Sequence, residues 1–259
     1  MLEIIYSLLS LRWRAVWLRN LKVWKKQAGP AVIANFGDPI LYLFALGYGF
    51  GNFVSEVNGV PYILFLTTGL LCTSVMNSAS FEGLFSAYTR MGVQETWGAM
   101  LITPLGLVDV VLGEMVWAAS KGLLSAMAIL IVAGISGILP DYYGLLALPV
   151  LFCIGLCFAA MALLITSFAR NYDFFSYYIT LVVTPMFLIS GVFFPVANMH
   201  PWIQWLAQSL PLAHGVNLVR AIIVGPPYGI SLLPIMILLF YTTISFYLAL
   251  YYFKRRLMA

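Results

Sequence analysis

The chain has 259 residues, of which 63% are hydrophobic and only 8% are charged, and its formal net charge is +4. A soluble domain of average composition has about a quarter of its residues charged, so these proportions exclude an ordinary soluble globular protein. Apolar runs of about 18 residues or more recur, and each can cross a hydrocarbon core of about 30 Å as a helix. The runs are continuously apolar and lack the alternation of a membrane β-barrel. We therefore predict an all-α polytopic membrane protein.

Residues 1–30 are predicted to form a cytoplasmic amphipathic helix in the headgroup layer of the membrane. With about 100° of rotation per residue, Trp13, Trp17 and Trp24 share one arc of this helix and the basic residues share the other. In this arrangement the indoles are buried in lipid and the cations meet anionic headgroups. The stretch has no small-residue cleavage site, so we expect no signal peptide and a mature chain that starts at Met1.

Residues 31–259 are predicted to form one transmembrane domain of six helices. The spans are placed at about 31–51, 62–88, 105–135, 144–168, 175–195 and 229–253. An even number of spans puts both termini on one side of the membrane. Basic residues concentrate at the two termini and in the second and fourth connections, whereas Arg220 lies on the opposite side and Lys121 lies within the third span. The positive-inside rule therefore predicts a multi-pass protein of the inner membrane with both termini in the cytoplasm.

The connection before the last span, residues 196–228, is predicted to be extracytoplasmic and re-entrant. It is half apolar but interrupted by prolines, so it is too broken to span the membrane and too apolar for a solvated loop. Short helices that enter the outer leaflet fit this composition, with Trp202 and Trp205 at the interface. His200 and His214 could act as an acid or a base, but a hydrogen-bonded structural role is the simpler interpretation of each.

Polar side chains inside the predicted spans are candidates for function, because ionisable groups are costly in a bilayer. The ionisable ones are Asp38, Glu82, Asp109, Glu114 and Lys121. Asn35 and Asp38 precede Pro39, where the proline frees a backbone carbonyl and kinks the helix. Glu114 and Lys121 project from nearly the same face of the third span. They form either a polar patch on a translocation path or a lock between helices or subunits. Two helical turns, about 10 Å, separate them, so an ionic partner must come from another span or subunit.

Aromatic residues concentrate in the fifth predicted span and are possible substrate-path residues. They include Tyr177, Tyr178, Phe187 and Phe193. Aromatic side chains in such positions more often pack or form an interfacial belt, but the same rings can stack against sugars. The three cysteines lie in apolar runs without nearby ligands, so we expect buried free thiols and no metal site. The sequence contains no phosphate-binding loop, zincin motif or nucleophile elbow, and no catalytic residue is predicted.

A resemblance to a known family rests on the connection after the second span. It begins Tyr88-Thr-Arg-Met-Gly-Val-Gln-Glu-Thr-Trp-Gly-Ala-Met-Leu-Ile-Thr-Pro and continues to Lys121. This segment resembles the permease subunit of type 2 ABC exporters, and most closely their nodulation-factor export branch. The stretches 38–51 and 190–195 are similar to the same family. In that family the connection carries a short cytoplasmic coupling helix, here 89–104, that docks on a separate ATPase. The matching residues here are Arg90, Glu95, Thr96, Trp97, Met100, Leu101, Thr103 and Pro104.

The resemblance implies a transport subunit and not an enzyme. ATP and magnesium would bind to two copies of a separate ABC ATPase, and this chain would bind no cofactor. A second copy of the permease would complete a homodimer, and the coupling helix would drive alternating access. The substrate would be an amphiphile, a lipo-oligosaccharide or other glycolipid, exported across the inner membrane. Membrane lipids are further expected partners, and nucleic acid is not.

Three other functions are compatible with the sequence. The first is drug or lipid efflux by a permease of the same family. The second is an ion-coupled secondary transporter that uses Asp38, Glu114 and Lys121. The third is a membrane-embedded transferase that uses His200 or His214. A requirement for an ATPase separates the ABC permease from the last two.

Overall fold

The computed structural model describes residues 6–7, 9–26, 29, 41, 44–45, 49, 54, 56–139, 143–225, 228–229 and 231–257, most of them helical. The α-helices are α1 (Trp13–Lys25), α2 (Tyr62–Phe81), α3 (Thr96–Leu101), α4 (Leu107–Ile135), α5 (Tyr143–Leu146), α6 (Leu148–Phe168), α7 (Asp173–Tyr178), α8 (Thr184–Ile189), α9 (Pro201–Ser209), α10 (Pro211–Ile223) and α11 (Leu232–Leu257). Within the same described ranges there are also three π-helical segments, Glu82–Ser86, Thr89–Val93 and Ile179–Val183, and one 3-10 turn, Val196–Asn198.

Four helices in the described part of the chain are long and apolar enough to cross a membrane. They are Tyr62–Val93, Leu107–Ile135, Gly144–Phe168 and Leu232–Leu257. They match the predicted spans at 62–88, 105–135, 144–168 and 229–253 within a few residues. The predicted span at 175–195 coincides with a shorter apolar helix, Asp173–Ile189. The predicted first span, 31–51, lies almost entirely outside the described residues, so the total of six remains a prediction.

A two-residue antiparallel ladder departs from the all-α prediction. Strand β1 (Glu56–Val57) pairs with β2 (Val60–Pro61) just before α2. Asn58 and Gly59, which join the strands, have φ angles of 55° and 75°. Asn-Gly is the sequence that best tolerates this left-handed backbone in a two-residue hairpin, so the turn is encoded locally.

Helix α6 lies at the centre of the bundle and packs against α2, α4 and α11. Its approach to α4 requires a glycine, because a Cβ on Gly155 would lie 3.0 Å from the Cα of Ala119. Small residues at such contacts let membrane helices pack closely. The cysteine prediction is correct for Cys72 and Cys157, which are buried, and wrong for Cys153, which is exposed on α6. Apolar character alone does not distinguish a helix face that contacts protein from one that contacts lipid.

Of the helix predicted over residues 1–30, the structure gives a helix at Trp13–Lys25, preceded by a left-handed residue, Leu11, with a φ of 55°. The apolar arc of this helix is covered by protein. Helix α1 packs along α4, and Val16 on this arc is only 1% exposed. A Cβ on Gly113 of α4 would lie 2.6 Å from the Cβ of Val16, so the two helices are in close contact. The prediction that lipid covers the indoles is therefore wrong for this face, since amphipathicity indicates which face is buried and not what covers it.

The segment before α11 contains two short helices, each of which begins with a proline. Helix α9 is largely exposed, with Trp202 and Trp205 at 62% and 74% exposure. Helix α10 is largely buried and packs against α2, α6 and α11. Proline suits the first turn of a helix because the backbone N–H at that position has no partner inside the helix. Two short helices fit the predicted re-entrant segment, and its place in the membrane remains a prediction.

Candidate functional site

The second predicted span continues beyond α2 through two π-helical segments. Glu82–Ser86 and Thr89–Val93 carry the helix to Val93, and Gln94 ends it. Each π turn has a wider hydrogen-bond ring than an α turn, and such turns are frequent at functional sites. Both segments lie where the helix carries charged side chains, Glu82 and Arg90.

A left-handed residue then changes the direction of the chain. Glu95 has a φ of 50°, which is uncommon for a residue other than glycine, and it immediately precedes α3 (Thr96–Leu101). The predicted coupling helix over 89–104 is therefore wrong in its bounds. Residues 89–93 belong to the preceding long helix, and only six residues form a separate helix. Gln94 and Glu95 gave no glycine or proline signal for this break.

Arg90 lies between two buried carboxylates. Its Nε donates to Oε1 of Glu114 at 3.0 Å, its Nη2 donates to Oε2 of the same residue at 2.5 Å, and its Nη1 contacts Oε1 of Glu82 at 2.8 Å. The guanidinium is planar and presents several N–H groups at fixed angles, so it can bind one carboxylate with two bonds and still reach another. Arg90 thus connects the end of the second predicted span to α4.

Lys121 completes the group. Its Nζ lies 2.8 Å from Oε2 of Glu82. The indole Nε1 of Trp117 donates to Oε1 of Glu82 at 2.8 Å, and that of Trp97 donates to Oε1 of Glu114 at 3.3 Å. We call Glu82, Arg90, Glu114 and Lys121 the charge network.

The charge network balances two negative and two positive groups in a buried setting. The side chains of Glu82 and Glu114 are 4% and 1% exposed, and those of Arg90 and Lys121 are 13% and 17% exposed. Buried ions are costly to desolvate, and only close partners with good geometry offset that cost. The network consequently favours one arrangement of the helices that carry it.

Helix α1 bonds to residues that are next in the sequence to members of the charge network or to Trp97, which contacts it. Nε1 of Trp17 donates to Oγ of Ser120 at 3.1 Å, and Nη2 of Arg19 donates to Oγ1 of Thr96 at the start of α3 at 3.4 Å. Burial, followed by the nearby Arg90 guanidinium, lowers the pKa of Arg19, while the Glu114 carboxylate raises it. Helix α1 therefore contacts both α4 and α3.

The predicted coupling residues divide into an inner and an outer set. The inner set lies within the helical bundle and consists of the buried residues Trp97 and Met100 and the mostly buried Arg90. The outer set consists of Thr96 and Leu101, which are partly exposed, and of Glu95, Thr103 and Pro104, which are exposed. Trp97 packs on Phe253 of α11, with ring centroids 4.9 Å apart. A side chain held inside the bundle is not free for a partner, so Trp97 anchors α3 and the exposed residues form its outer face.

Two of the four predicted intramembrane polar residues can be placed in the structure. Glu114 and Lys121 both belong to the charge network, but each pairs with a residue of the preceding helix and not with the other. Partners from another segment are what their spacing predicted. Asn35 and Asp38 lie outside the described residues.

The four predicted path aromatics do not form one surface. Tyr177 is 65% exposed, whereas Tyr178 is 7% exposed and belongs to the core. Phe187 and Phe193 are partly buried and pack against each other edge to face at 4.9 Å. Their part in any substrate path remains a prediction.

The two histidines also occupy different settings. His200 is exposed, and its ring lies 6.4 Å from that of Trp202. His214 is 8% exposed, and its Nε2 lies 2.7 Å from the backbone oxygen of Gln208. These contacts fit a hydrogen-bonded structural histidine in α10.

The sequence did not predict the pairing of Glu82, the bond that Trp117 donates to it, or the burial of Arg220. Glu82 stood out as a carboxylate within an apolar run, but nothing in the sequence connected it to Arg90 or Lys121. Trp117 had only its indole N–H as a signal. Arg220, assigned to an outer connection, is 3% exposed, and its Nη2 donates to the backbone oxygens of Phe65 and Gly191.

These features define a class of protein: a helical, multi-spanning membrane protein in which a buried charge network holds a short helix between two candidate spans. The family model for the ABC-2 type transporter matches residues 12–224. The match covers most of the chain, and the chain belongs to this family.

Individual relatives that align with nearly the full length of this chain give a more specific similarity than the family model. Nodulation protein J of Rhizobium leguminosarum bv. viciae is 43% identical over 249 residues, which cover 96% of each chain. Nodulation protein J of Rhizobium meliloti is 42% identical over 246 residues, covering 95% of this chain and 94% of the relative. The inner membrane transport permease YadH of Escherichia coli is more distant, at 22% identity over 217 residues, covering 84% of this chain and 83% of the relative. The resemblance identified from the sequence is thus confirmed.

Proposed function

We propose that this chain is the permease subunit of an ATP-driven exporter that moves an amphiphile out across the inner membrane. A separate ABC ATPase, in two copies, binds ATP and magnesium and docks on a homodimer of this chain. Both termini face the cytoplasm, because the basic residues of the chain concentrate on that side. The observation that carries the proposal is the match to the ABC-2 type transporter family across residues 12–224.

The outer face of α3 is the proposed contact with the ATPase. Two exposed apolar side chains flank α3 in the sequence, Val93 at 68% and Ile102 at 89% exposure. Glu95, Thr103 and Pro104 are exposed beside them. Apolar anchors surrounded by polar groups are the usual composition of a protein interface.

The charge network is the proposed link between α3 and the membrane helices. Trp97 fixes α3 to Glu114, and Arg90 joins Glu114 to Glu82. A displacement of α3 by the ATPase would therefore act on both the second predicted span and α4 at once. Such an element supports alternating access when its contacts differ between the inward- and outward-open states.

The proposed substrate is a lipo-oligosaccharide or a related glycolipid. Support comes from the similarity to proteins named Nodulation protein J, at 41–43% identity in four relatives. Export of drugs or other lipids is the second candidate within the family, supported by the more distant similarity to a permease named only for transport. An ion-coupled transporter is less well supported, because Glu114 and Lys121 are already engaged in ion pairs.

The docking proposal is tested with Ile102→Glu in the permease co-expressed with its ATPase. The expected result is at least about tenfold less ATPase recovered with the permease, because an apolar anchor typically contributes about 2 kcal/mol. Val23→Glu on α1 is the matched control, since Val23 is also an exposed apolar residue, at 49%, and is not part of α3. Equal recovery of the ATPase in both variants, with normal export, would remove α3 from the interface.

The substrate proposal is tested by ATP-dependent transport in proteoliposomes that contain the whole complex. A fluorescent lipo-oligosaccharide and a cationic drug are offered separately, with and without ATP. Transport of the glycolipid alone supports the proposal, and transport of the drug alone supports the second candidate. Uptake that follows an ion gradient without ATP would overturn both.

A further inference from the structure

A cavity of about 840 Å³ lies beside the start of α4, and none of the four charge-network residues lines it. Its walls come from the residues before α1, the start of α4 and the last turns of α11. On α11 the lining residues are Tyr247, Leu250, Tyr251 and Lys254, whose spacing places them on one helix face. On this face, Leu250 and the tyrosine rings are apolar, whereas the tyrosine hydroxyls and Lys254 are polar.

Hydrogen-bond donors converge on this cavity. Arg12 lines it, donates from Nη2 to the hydroxyl of Tyr6 at 3.3 Å and from Nη1 to the carbonyl of Pro104 at 3.2 Å. Arg255, which does not itself line the cavity, donates from Nη1 to the hydroxyl of Tyr251 at 3.3 Å. Each tyrosine hydroxyl thus accepts from an arginine and retains its own proton for donation. The free donors favour an acceptor with negative charge.

Among the described residues that line the cavity, one carboxylate is present, and it is already satisfied. Asp109 is 5% exposed, accepts from the backbone N–H of Gly106 at 2.9 Å, and accepts from the hydroxyl of Ser7. It caps the N-terminus of α4, whose dipole favours a negative charge there. The other charged groups among the described lining residues, Arg12 and Lys254, are both positive and exposed.

We infer that this cavity binds the phosphate headgroup of an anionic phospholipid. The phosphate lies between Arg12 and Lys254 and accepts from the hydroxyls of Tyr6 and Tyr251. The acyl chains follow Leu250 and Tyr247 along α11 toward the middle of the membrane. Lysine and arginine at the end of a membrane helix lie at headgroup depth, where anionic lipids are present.

The site also touches the segment that leads out of α3. The carbonyl of Pro104 accepts from Arg12, the same side chain that the phosphate would contact. A bound lipid therefore stabilises the position of Arg12 and, through it, the turn between α3 and α4. Binding itself does not depend on the proposed export function, so it is measured on the purified permease alone.

The experiment is native mass spectrometry of the detergent-purified chain titrated with dioleoyl-phosphatidylglycerol or dioleoyl-phosphatidylcholine. The paired variant Arg12→Gln/Lys254→Gln is expected to bind phosphatidylglycerol about 30-fold more weakly, since each basic group near a lipid surface contributes about a fivefold factor. Arg14→Gln/Lys26→Gln removes the same charge from exposed positions that do not line the cavity. This control is expected to keep the affinity within about twofold.

Two further measurements separate a loss of lipid binding from a loss of stability, and lipid binding from binding of free phosphate. Tyr251→Phe removes one donor while retaining the ring, and it is expected to weaken phosphatidylglycerol binding about fivefold even if the paired variant is unstable. Inorganic phosphate in tenfold excess should leave the bound lipid in place. The inference is overturned by equal affinity for both lipids, by equal loss in the paired variant and its control, or by displacement with inorganic phosphate.

Discussion

Removing both members of the Arg90–Glu114 pair should damage the protein much less than the sum of the two single removals. Arg90→Gln leaves Glu114 buried with a single neutral donor, the indole of Trp97, and gives the charge network a net charge of −1. Glu114→Gln gives the opposite imbalance. The double variant restores neutrality, because Glu82 and Lys121 still face each other at 2.8 Å.

The magnitude follows from burial. Stranding one charge of a buried pair typically costs about 3–5 kcal/mol, and the 13% exposure of Arg90 places this site near the lower end. We therefore expect each single substitution to lower the free energy of unfolding by about 3 kcal/mol. The double variant should lose about 3–4 kcal/mol, well below the sum of about 6, which corresponds to a coupling of 2 kcal/mol or more.

The assay is reversible unfolding in mixed detergent micelles with increasing dodecyl sulfate, followed by circular dichroism for the wild type, both singles and the double. Arg170→Gln serves as the control, because Arg170 is exposed and should change stability by less than about 0.5 kcal/mol. Additive losses in the double variant would refute the argument that the two groups neutralise each other. So would single variants that match the control.

Two further predictions concern close contacts elsewhere in the bundle. Gly113→Ile should displace α1, because a Cβ there meets Val16 at 2.6 Å, and limited trypsin digestion should then cleave α1 several-fold faster. Gly134→Ile on the same helix, whose Cβ would meet no atom of the described residues within 4 Å, should digest like the wild type, and equal cleavage of both would contradict the close contact. Arg220→Gln should lower the thermal unfolding midpoint by several degrees, because it removes charge-assisted bonds to Phe65 and Gly191. An unchanged midpoint would mean that these bonds contribute nothing to stability.

The helical bundle was largely predictable because membrane helices follow from one-dimensional patterns. Long apolar runs fix the spans, as the agreement for Leu107–Ile135 and Leu232–Leu257 shows. The proline-rich segment before the last span predicted short helices, and α9 and α10 are both present. The amphipathic pattern within residues 1–30 likewise predicted a helix, although α1 covers only Trp13–Lys25 of that range. Each of these features depends only on neighbouring residues, so no knowledge of the fold was needed.

The contacts of the candidate site were less predictable because they depend on how separate helices meet. Glu114 and Lys121 lacked a partner in sequence terms, and only the packing of α4 beside the preceding helix supplies Arg90 and Glu82. Trp97 was expected to face a partner protein, yet the turn at Glu95 directs it inward against Phe253. Patterns of polarity indicated which residues are special, and tertiary packing determined whether each faces the bundle or its surroundings.

The π-helical segment Glu82–Ser86 changes which residues of its helix share a face. Glu82 and Arg90 are eight positions apart, which in a regular α-helix corresponds to about 800°, or about 80° away from alignment. One π turn accommodates an extra residue, so the pair behaves as if seven positions apart, at about 700° and within about 20° of the same direction. The widened turn therefore works as a phase correction that brings the guanidinium over the carboxylate. A deletion of one residue between them that restored regular α geometry would preserve the ion pair, although the sequence distance would have changed.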